Sequence, residues 1–280
     1  MTPILSPSDL LALQQKPNFI LIDARSGPNA KENYEKAHLA GALWVDLEND
    51  LSEKTGDAAQ GGRHPLPPVK KFAHFLGALG ITPQSHVVVY DDKNGANPAA
   101  RFWWMLCALG HEQIQVLDVG YQAAINMGFP TSIGMESSNP TTDYPASTWQ
   151  LPMADINEVA QAAQAEDAVV IDVRESGRYL GQFEPIDLVA GHIPGAINIP
   201  FAENLNADGS FLSPEQLHTK YAETLANISS DKVIVHCGSG VTACHTLLAM
   251  AQAGMEIPKL YVGSWSEWSR NERPIATDGK

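Results

Sequence analysis

The chain has 280 residues, room for two domains of ordinary size. Lys plus Arg number 18 and Asp plus Glu 32, a formal net charge of −14, which argues against nucleic acid or an anionic membrane as a partner. A hydrophobic content of 44% with 18% charged residues excludes wholesale disorder.

Apolar runs such as residues 87–90 are strand-sized and too short to span a bilayer. The opening MTPILSPSDL has no basic stretch before an apolar core and does not read as a signal peptide. Three cysteines do not make a disulfide framework. The expectation is a soluble, cytoplasmic protein of a reducing compartment.

In chain order, strands are predicted at 19–24, 86–91 and 113–118, with helices at 70–79, 98–109 and 121–127. A Pro-, Ser- and Thr-rich stretch without period follows at 129–152 and reads as a linker. Beyond it, helices are predicted at 156–165, 214–225 and 241–253, and strands at 168–173, 232–237 and 259–262. Ser213-Pro214-Glu215-Gln216 has the form of a capping box with Pro at the first helical position. The alternation predicts an α/β fold, each sheet parallel and flanked by helices on both faces. The expected boundaries are a first domain at 1–135, a linker at 136–152 and a second domain at 153–280.

The halves repeat. Ile22-Asp23-Ala24-Arg25 matches Ile171-Asp172-Val173-Arg174, and His38-Leu39-Ala40-Gly41-Ala42 matches His192-Ile193-Pro194-Gly195-Ala196. Val87-Val88-Val89-Tyr90-Asp91 matches Val233-Ile234-Val235-His236-Cys237, and Leu117-Asp118-Val119-Gly120 matches Leu260-Tyr261-Val262-Gly263. Four blocks in one order indicate a tandem duplication. Where the second half has Cys237, the first has Asp91.

HCGSGVTACHTLLAM reads as strand, loop and helix. Cys237 then ends a parallel strand, below a loop of backbone N–H groups and a helix N-terminus, where open α/β sheets bind ligands. Such a cradle favours negative charge and so the thiolate, which is the nucleophile. A tyrosine-phosphatase-like reading needs Arg six residues after the Cys, and Ala243 stands there. Cys237 and Cys244 are spaced poorly for a metal, and no motif implies a metal or an organic cofactor.

These features together resemble the two-domain rhodaneses: the tandem Asp-x-Arg motifs, Gly191 with the five residues after it, the Trp103-Trp104-Met105 helix and Trp265-Ser266-Glu267-Trp268. The loop Cys-Gly-Ser-Gly-Val-Thr is similar to that of the 3-mercaptopyruvate branch, whereas thiosulfate sulfurtransferases usually carry charge there. The resemblance implies tandem rhodanese domains, the first catalytically silent. It implies a ping-pong reaction in which Cys237 takes a sulfane sulfur as a persulfide and passes it to cyanide, a thiol or a thioredoxin-type acceptor. Gly238, Ser239, Gly240, Val241 and Thr242 would hold substrate and persulfide, and Arg178 would bind the substrate's anionic end. Ser239 and His64 would form a relay beside the Cys, with Glu48 the nearest acidic match. The branch usually has a second Arg soon after Arg178. Here Gln182-Phe183-Glu184-Pro185-Ile186-Asp187 fills the stretch, and Arg63 and Arg101 are alternative sources.

Other readings stand beside these. A thiosulfate sulfurtransferase is the alternative within the class, and a non-enzymatic persulfide carrier the alternative outside it. Asp23, Arg25, Asp172, Arg174, His38 and His192 occur in both halves, so structural ion pairs and satisfied histidines are expected there. Cys107 and Cys244 read as core.

Overall fold

A computed structural model describes residues 1–96, 98–225 and 228–277. The chain divides into two units: Met1–Glu53, Pro67–Gln150 and Gly209–Phe211 in the first, and Lys54–Leu66, Leu151–Asp208 and Leu212–Lys280 in the second.

The first unit runs β1 (Ile4–Leu5), α1 (Pro7–Leu13), β2 (Phe19–Asp23), α2 (Ala30–Lys36), β3 (His38–Leu39), β4 (Ala42–Trp44), α3 (Val69–Ala78), β5 (His86–Tyr90), α4 (Pro98–Cys107), β6 (Ile114–Leu117), α5 (Gly120–Asn126) and β7 (Thr131–Ser132). Its parallel sheet has the order β1-β6-β5-β2-β4. The run Val87-Val88-Val89 is fully buried, as a parallel strand covered on both faces requires. Leu10, Leu21, Leu39, Val88, Leu117 and Phe129 close one core around it.

The second unit runs α6 (Ile156–Ala162), β8 (Val169–Asp172), α7 (Ser176–Tyr179), β9 (Ile197–Asn198), α8 (Pro214–Leu225), β10 (Val233–His236), α9 (Ala243–Gln252), β11 (Lys259–Leu260) and α10 (Ser264–Trp268). The sheet order is β11-β10-β8-β9, again parallel. Val170, Ile193, Ile234, Tyr261, Trp265 and Trp268 pack together beside it. The expected capping box forms at α8: the Gln216 amide donates to Ser213 Oγ at 3.3 Å and the Ser213 amide to Gln216 Oε1 at 3.0 Å.

The duplication extends to side chains. The Arg25 guanidinium pairs with Asp23 at 2.7 Å and donates to the Ala37 carbonyl, while Arg174 pairs with Asp172 at 2.6 Å and donates to the Gly191 carbonyl. His38 stacks on Tyr34 and His192 on Tyr179, each Nδ1 bonded to that tyrosine's own carbonyl. Arg25 lies over the Tyr121 ring and Arg174 over Trp265. The ion pairs and satisfied histidines expected at these repeated residues are present in both units.

Two boundaries differ from the sequence reading. Much of the expected linker is packed on the first unit. The Thr141 amide donates to the Gly77 carbonyl and Tyr144 to Ala73, and Trp149 packs on Phe72. The units part between Gln150 and Leu151. The stretch Lys54–Leu66, expected within the first domain, groups with the second unit. It has no secondary-structure period to announce it. Residues 278–280 of the expected second domain lie outside the described residues. Among the described residues no helix is long and apolar enough to cross a membrane.

Candidate functional site

Cys237 follows the last residue of β10, whose register places His236 beside Asp172 of β8. In the first unit Tyr90 lies beside Asp23 in the same way, so Asp91 stands where Cys237 stands. The Asp91 carboxylate is fully buried and accepts from the amides of Lys93, Gly95 and Ala99 at 2.8, 2.9 and 3.3 Å. Burial raises that carboxyl, though the three amides favour its anion. The loop after β5 therefore receives its own carboxylate.

In the second unit the corresponding loop surrounds a thiol. Cys237 is 3% exposed. Among the described residues, the amides of Gly238, Ser239, Val241 and Thr242 have no protein acceptor. Val241 and Thr242 were expected within the helix; both lie before it, in the loop. Their carbonyls accept from Cys244 and His245, which starts α9. Gly240 has φ +73°, and a side chain there would run into the Val262 carbonyl, so this turn needs glycine.

Helix α10 clamps the other side. Ser264 has φ +53°, an uncommon conformation for a residue with a side chain. Its hydroxyl donates to the Tyr261 carbonyl at 2.8 Å and accepts the Cys237 amide at 3.2 Å. The Trp265 amide donates to the Cys237 carbonyl and the Ser266 amide to that of Gly238, at 3.0 and 2.9 Å. The loop peptides are thereby fixed in direction before any ligand arrives.

His64 and Ser239 meet: Nδ1 lies 2.8 Å from Oγ, and both residues are buried. The segment carrying His64 is docked on α10, with the Gly61 amide on Glu267 Oε1 and the Arg63 amide on Ser266 Oγ. Glu48 belongs to the first unit, where its amide donates to Asp46.

Arg178 grips Glu184 with Nε and Nη2, at 3.1 and 2.7 Å. Burial would raise the Glu184 carboxyl, but Arg178 and the amides of Asp187 and Ile186 hold it below the usual range. A Cβ at Gly238 would lie 3.5 Å from Arg178 Nη2 and 3.3 Å from Arg63 Nη2. Both guanidiniums thus edge the cysteine loop. Arg101, in α4, is fully buried in the first unit. The sequence reading missed Ser264, Ser266, Glu184, Asp187 and Arg270. Only the Trp-Ser-Glu-Trp motif marked any of them, through Ser266.

The arrangement offers a buried thiol, unpaired loop amides for a second sulfur's charge, a hydroxyl–imidazole pair for proton movement, and two guanidiniums for an anion. The other thiols are otherwise engaged. Cys107 is partly exposed as a residue, yet apolar packing around its sulfur pushes the thiol up to about 12. Cys244 is fully buried and donates to the Gly240 carbonyl at 3.4 Å. Iodoacetamide at neutral pH is therefore expected to label Cys237 and spare the other two, read by peptide mass mapping. Prior labelling of Cys107 or Cys244 would contradict it.

The chain matches the family described as "Rhodanese-like domain" twice, over residues 6–126 and 155–271. It is 39% identical over 280 residues to a Pseudomonas aeruginosa protein named "Probable 3-mercaptopyruvate sulfurtransferase", covering 98% of each chain. It is 36% identical to the mouse "Thiosulfate sulfurtransferase", over 88% of this chain and 82% of that one. Among solved structures, the "3-mercaptopyruvate sulfurtransferase from Leishmania major" superposes with a TM-score of 0.83 at 30% identity, over 97% of this chain and 75% of that one. With both halves matched and relatives this similar along nearly its whole length, the chain belongs to the rhodanese-like family as a tandem two-domain member and is a sulfurtransferase.

Proposed function

We propose that the donor is 3-mercaptopyruvate and that Cys237 carries the sulfur. The Cys237 thiolate attacks the donor's sulfur, the carbon–sulfur bond breaks with its electron pair on carbon, and the donor's thiol proton moves to that carbon. The products are pyruvate and a Cys237 persulfide anion. A second nucleophile (cyanide, a thiol or a thioredoxin-type protein) then attacks the outer sulfur. The sulfur–sulfur bond breaks and the thiolate returns. The unpaired amides of Gly238, Ser239, Val241 and Thr242 support the persulfide charge, Gly240 gives the loop its turn, and Arg178 faces the donor's carboxylate. Cytoplasmic action without membrane or nucleic acid accords with the net charge of −14.

The observation that carries this reading is the 2.8 Å contact between His64 Nδ1 and Ser239 Oγ at the cysteine loop. Sulfur transfer from 3-mercaptopyruvate moves a proton from sulfur to carbon. Transfer from thiosulfate moves none, because sulfite leaves as an anion. A proton-handling pair therefore serves the first donor and is idle for the second. Thiosulfate is the second reading, favoured by the mouse relative and by the guanidiniums, which suit a sulfonate as well as a carboxylate.

The experiment compares kcat/KM for the two donors with cyanide as acceptor, following pyruvate and sulfite. Mercaptopyruvate is expected to win. Ser239→Ala should then lower kcat with mercaptopyruvate by about a hundredfold, the lower range for general acid–base catalysis, and change thiosulfate turnover by less than about threefold on the same reasoning. A thiosulfate preference in the parent protein, or equal loss with both donors, would overturn the assignment.

A further inference from the structure

Residues 182–187 provide no second arginine beside Arg178, yet the structure brings one from elsewhere in the sequence. We propose that Arg63 is the second guanidinium that grips the donor's anionic end, and that Asp187 is the positioning residue that aims it.

The Asp187 side chain is fully buried and holds three guanidiniums. Arg63 Nε donates to Oδ1 at 3.1 Å and Nη2 lies 3.5 Å from Oδ2. Arg178 Nη2 is 3.6 Å from Oδ2, and Arg270 Nη1 donates to Oδ1 at 3.0 Å. The positions a Gly238 Cβ would contact show that Arg63 and Arg178 converge on one point of the loop, 3.3 and 3.5 Å away. Among the described residues, Nη1 of Arg63 and Nη1 of Arg178 have no protein acceptor, since the carboxylates engage the Nε–Nη2 edges. Each guanidinium is anchored along one edge and offers the other, the arrangement that grips a planar carboxylate.

Charge supports the assignment. The cluster contains Arg63, Arg174, Arg178 and Arg270 against Asp172, Glu184 and Asp187, one positive charge in excess. Arg63 and Arg270 reach solvent, so this excess can meet an incoming anion at the mouth of the loop. Arg63 is also held by its backbone on Ser266 and precedes His64, so one rigid segment carries the anion grip and the proton-handling ring together. Gly62 leaves it no slack: a side chain there would strike the Gly263 carbonyl.

This inference rests on the donor assignment above, and the test separates the two. Arg63→Ala and Arg63→Lys are assayed with 3-mercaptopyruvate, with its uncharged methyl ester and with thiosulfate, cyanide being the acceptor. Melting curves confirm folding. In Arg63→Ala, KM for 3-mercaptopyruvate should rise about tenfold or more, as expected for losing a charge-assisted bond. Turnover at saturation and the KM of the ester should move less than about threefold by the same arithmetic, and Arg63→Lys should recover part of the loss. Equal KM changes for acid and ester, or a fall in kcat alone, would overturn the proposal, because Arg63 would then act only through His64 or the fold. If the parent protein ignores 3-mercaptopyruvate, the donor assignment fails, and the KM of Arg63→Ala for thiosulfate decides the role of Arg63 independently.

Discussion

Cys237→Ser is expected to abolish sulfur transfer while leaving the chain folded. The exchange removes little volume, and Cys237 holds its place through backbone bonds that a serine keeps, its amide to Ser264 Oγ and its carbonyl from Trp265. A hydroxyl is far less acidic than a thiol and forms no persulfide, so the loop amides would have no anion to support at this stage. Removing a nucleophile costs at least about a thousandfold in turnover. Melting temperature should stay within about 3 °C of the parent, the shift that a change below 1 kcal/mol brings. Intact mass after incubation with donor should show one added sulfur in the parent and none in the variant. Residual turnover above a few per cent would mean that Cys237 is not the sulfur carrier. Asp91 offers the natural comparison: at the same point of the repeat, a carboxylate occupies the amides and leaves no nucleophile.

What the sequence disclosed follows from physical scale. The central strands announced themselves because a parallel strand buried on both faces must be apolar without interruption, as 87–89 and 233–235 are. The Cys237 loop announced itself because a tight strand-to-helix turn demands glycine, and Gly240 is where a side chain would meet Val262. The short strands His38–Leu39, Ala42–Trp44 and Ile197–Asn198 escaped, for they carry too few positions to show a period, whereas Lys259–Leu260 fell inside a longer predicted strand at 259–262. The four-residue helix at Ser176–Tyr179 escaped for the same reason. The anion-binding cluster was only partly legible. Arg178 has a local motif and Arg63 stood beside Arg101 as an alternative second arginine, but Asp187 and Arg270 acquire meaning only through the ion pairs they share with these residues. The proton-handling pair is intermediate: Ser239 is marked by its loop, whereas His64 sits in an aperiodic stretch whose membership in the second unit only the fold reveals.

The second large effect concerns the carboxylate beside His236. Asp172→Ala should destabilise the protein by about 3–5 kcal/mol, the cost of breaking a buried pair from one side. The carboxylate is fully buried; it accepts the Arg174 amide at 3.0 Å, Nε at 3.0 and 3.1 Å, and Nη2 at 2.6 Å. Without it, Arg174 remains buried with Glu184 at 3.3 Å as its one carboxylate partner among the described residues, beside the Gly191 carbonyl and the Trp265 ring. The melting temperature should fall by on the order of 10 °C. The matched change Asp23→Ala provides a control. It breaks the same pair in the first unit, so it should destabilise similarly while sparing donor KM at a temperature where the chain is folded. Asp172→Ala should also weaken donor binding, since Arg174 shares Glu184 with Arg178.

Acid sensitivity follows from the same residues. Burial raises the Asp172 carboxyl, but the charges facing it, from His236 when protonated and from Arg174 always, hold it below its ordinary value. Burial holds the His236 ring below its ordinary value despite Asp172 at 3.8 Å. A lowered carboxylate stabilises the fold above its unfolded-state value and loses that contribution as pH falls through the folded one. A histidine buried neutral adds loss once pH drops below about 6.5, where the unfolded chain takes the proton first. Both have the same sign, so the melting temperature should decline from pH 7 toward pH 4. Asp172→Asn, which removes the carboxylate's share, should shift less below pH 4 than the parent. An equal decline in both proteins down to pH 3 would show that another buried carboxylate governs acid unfolding.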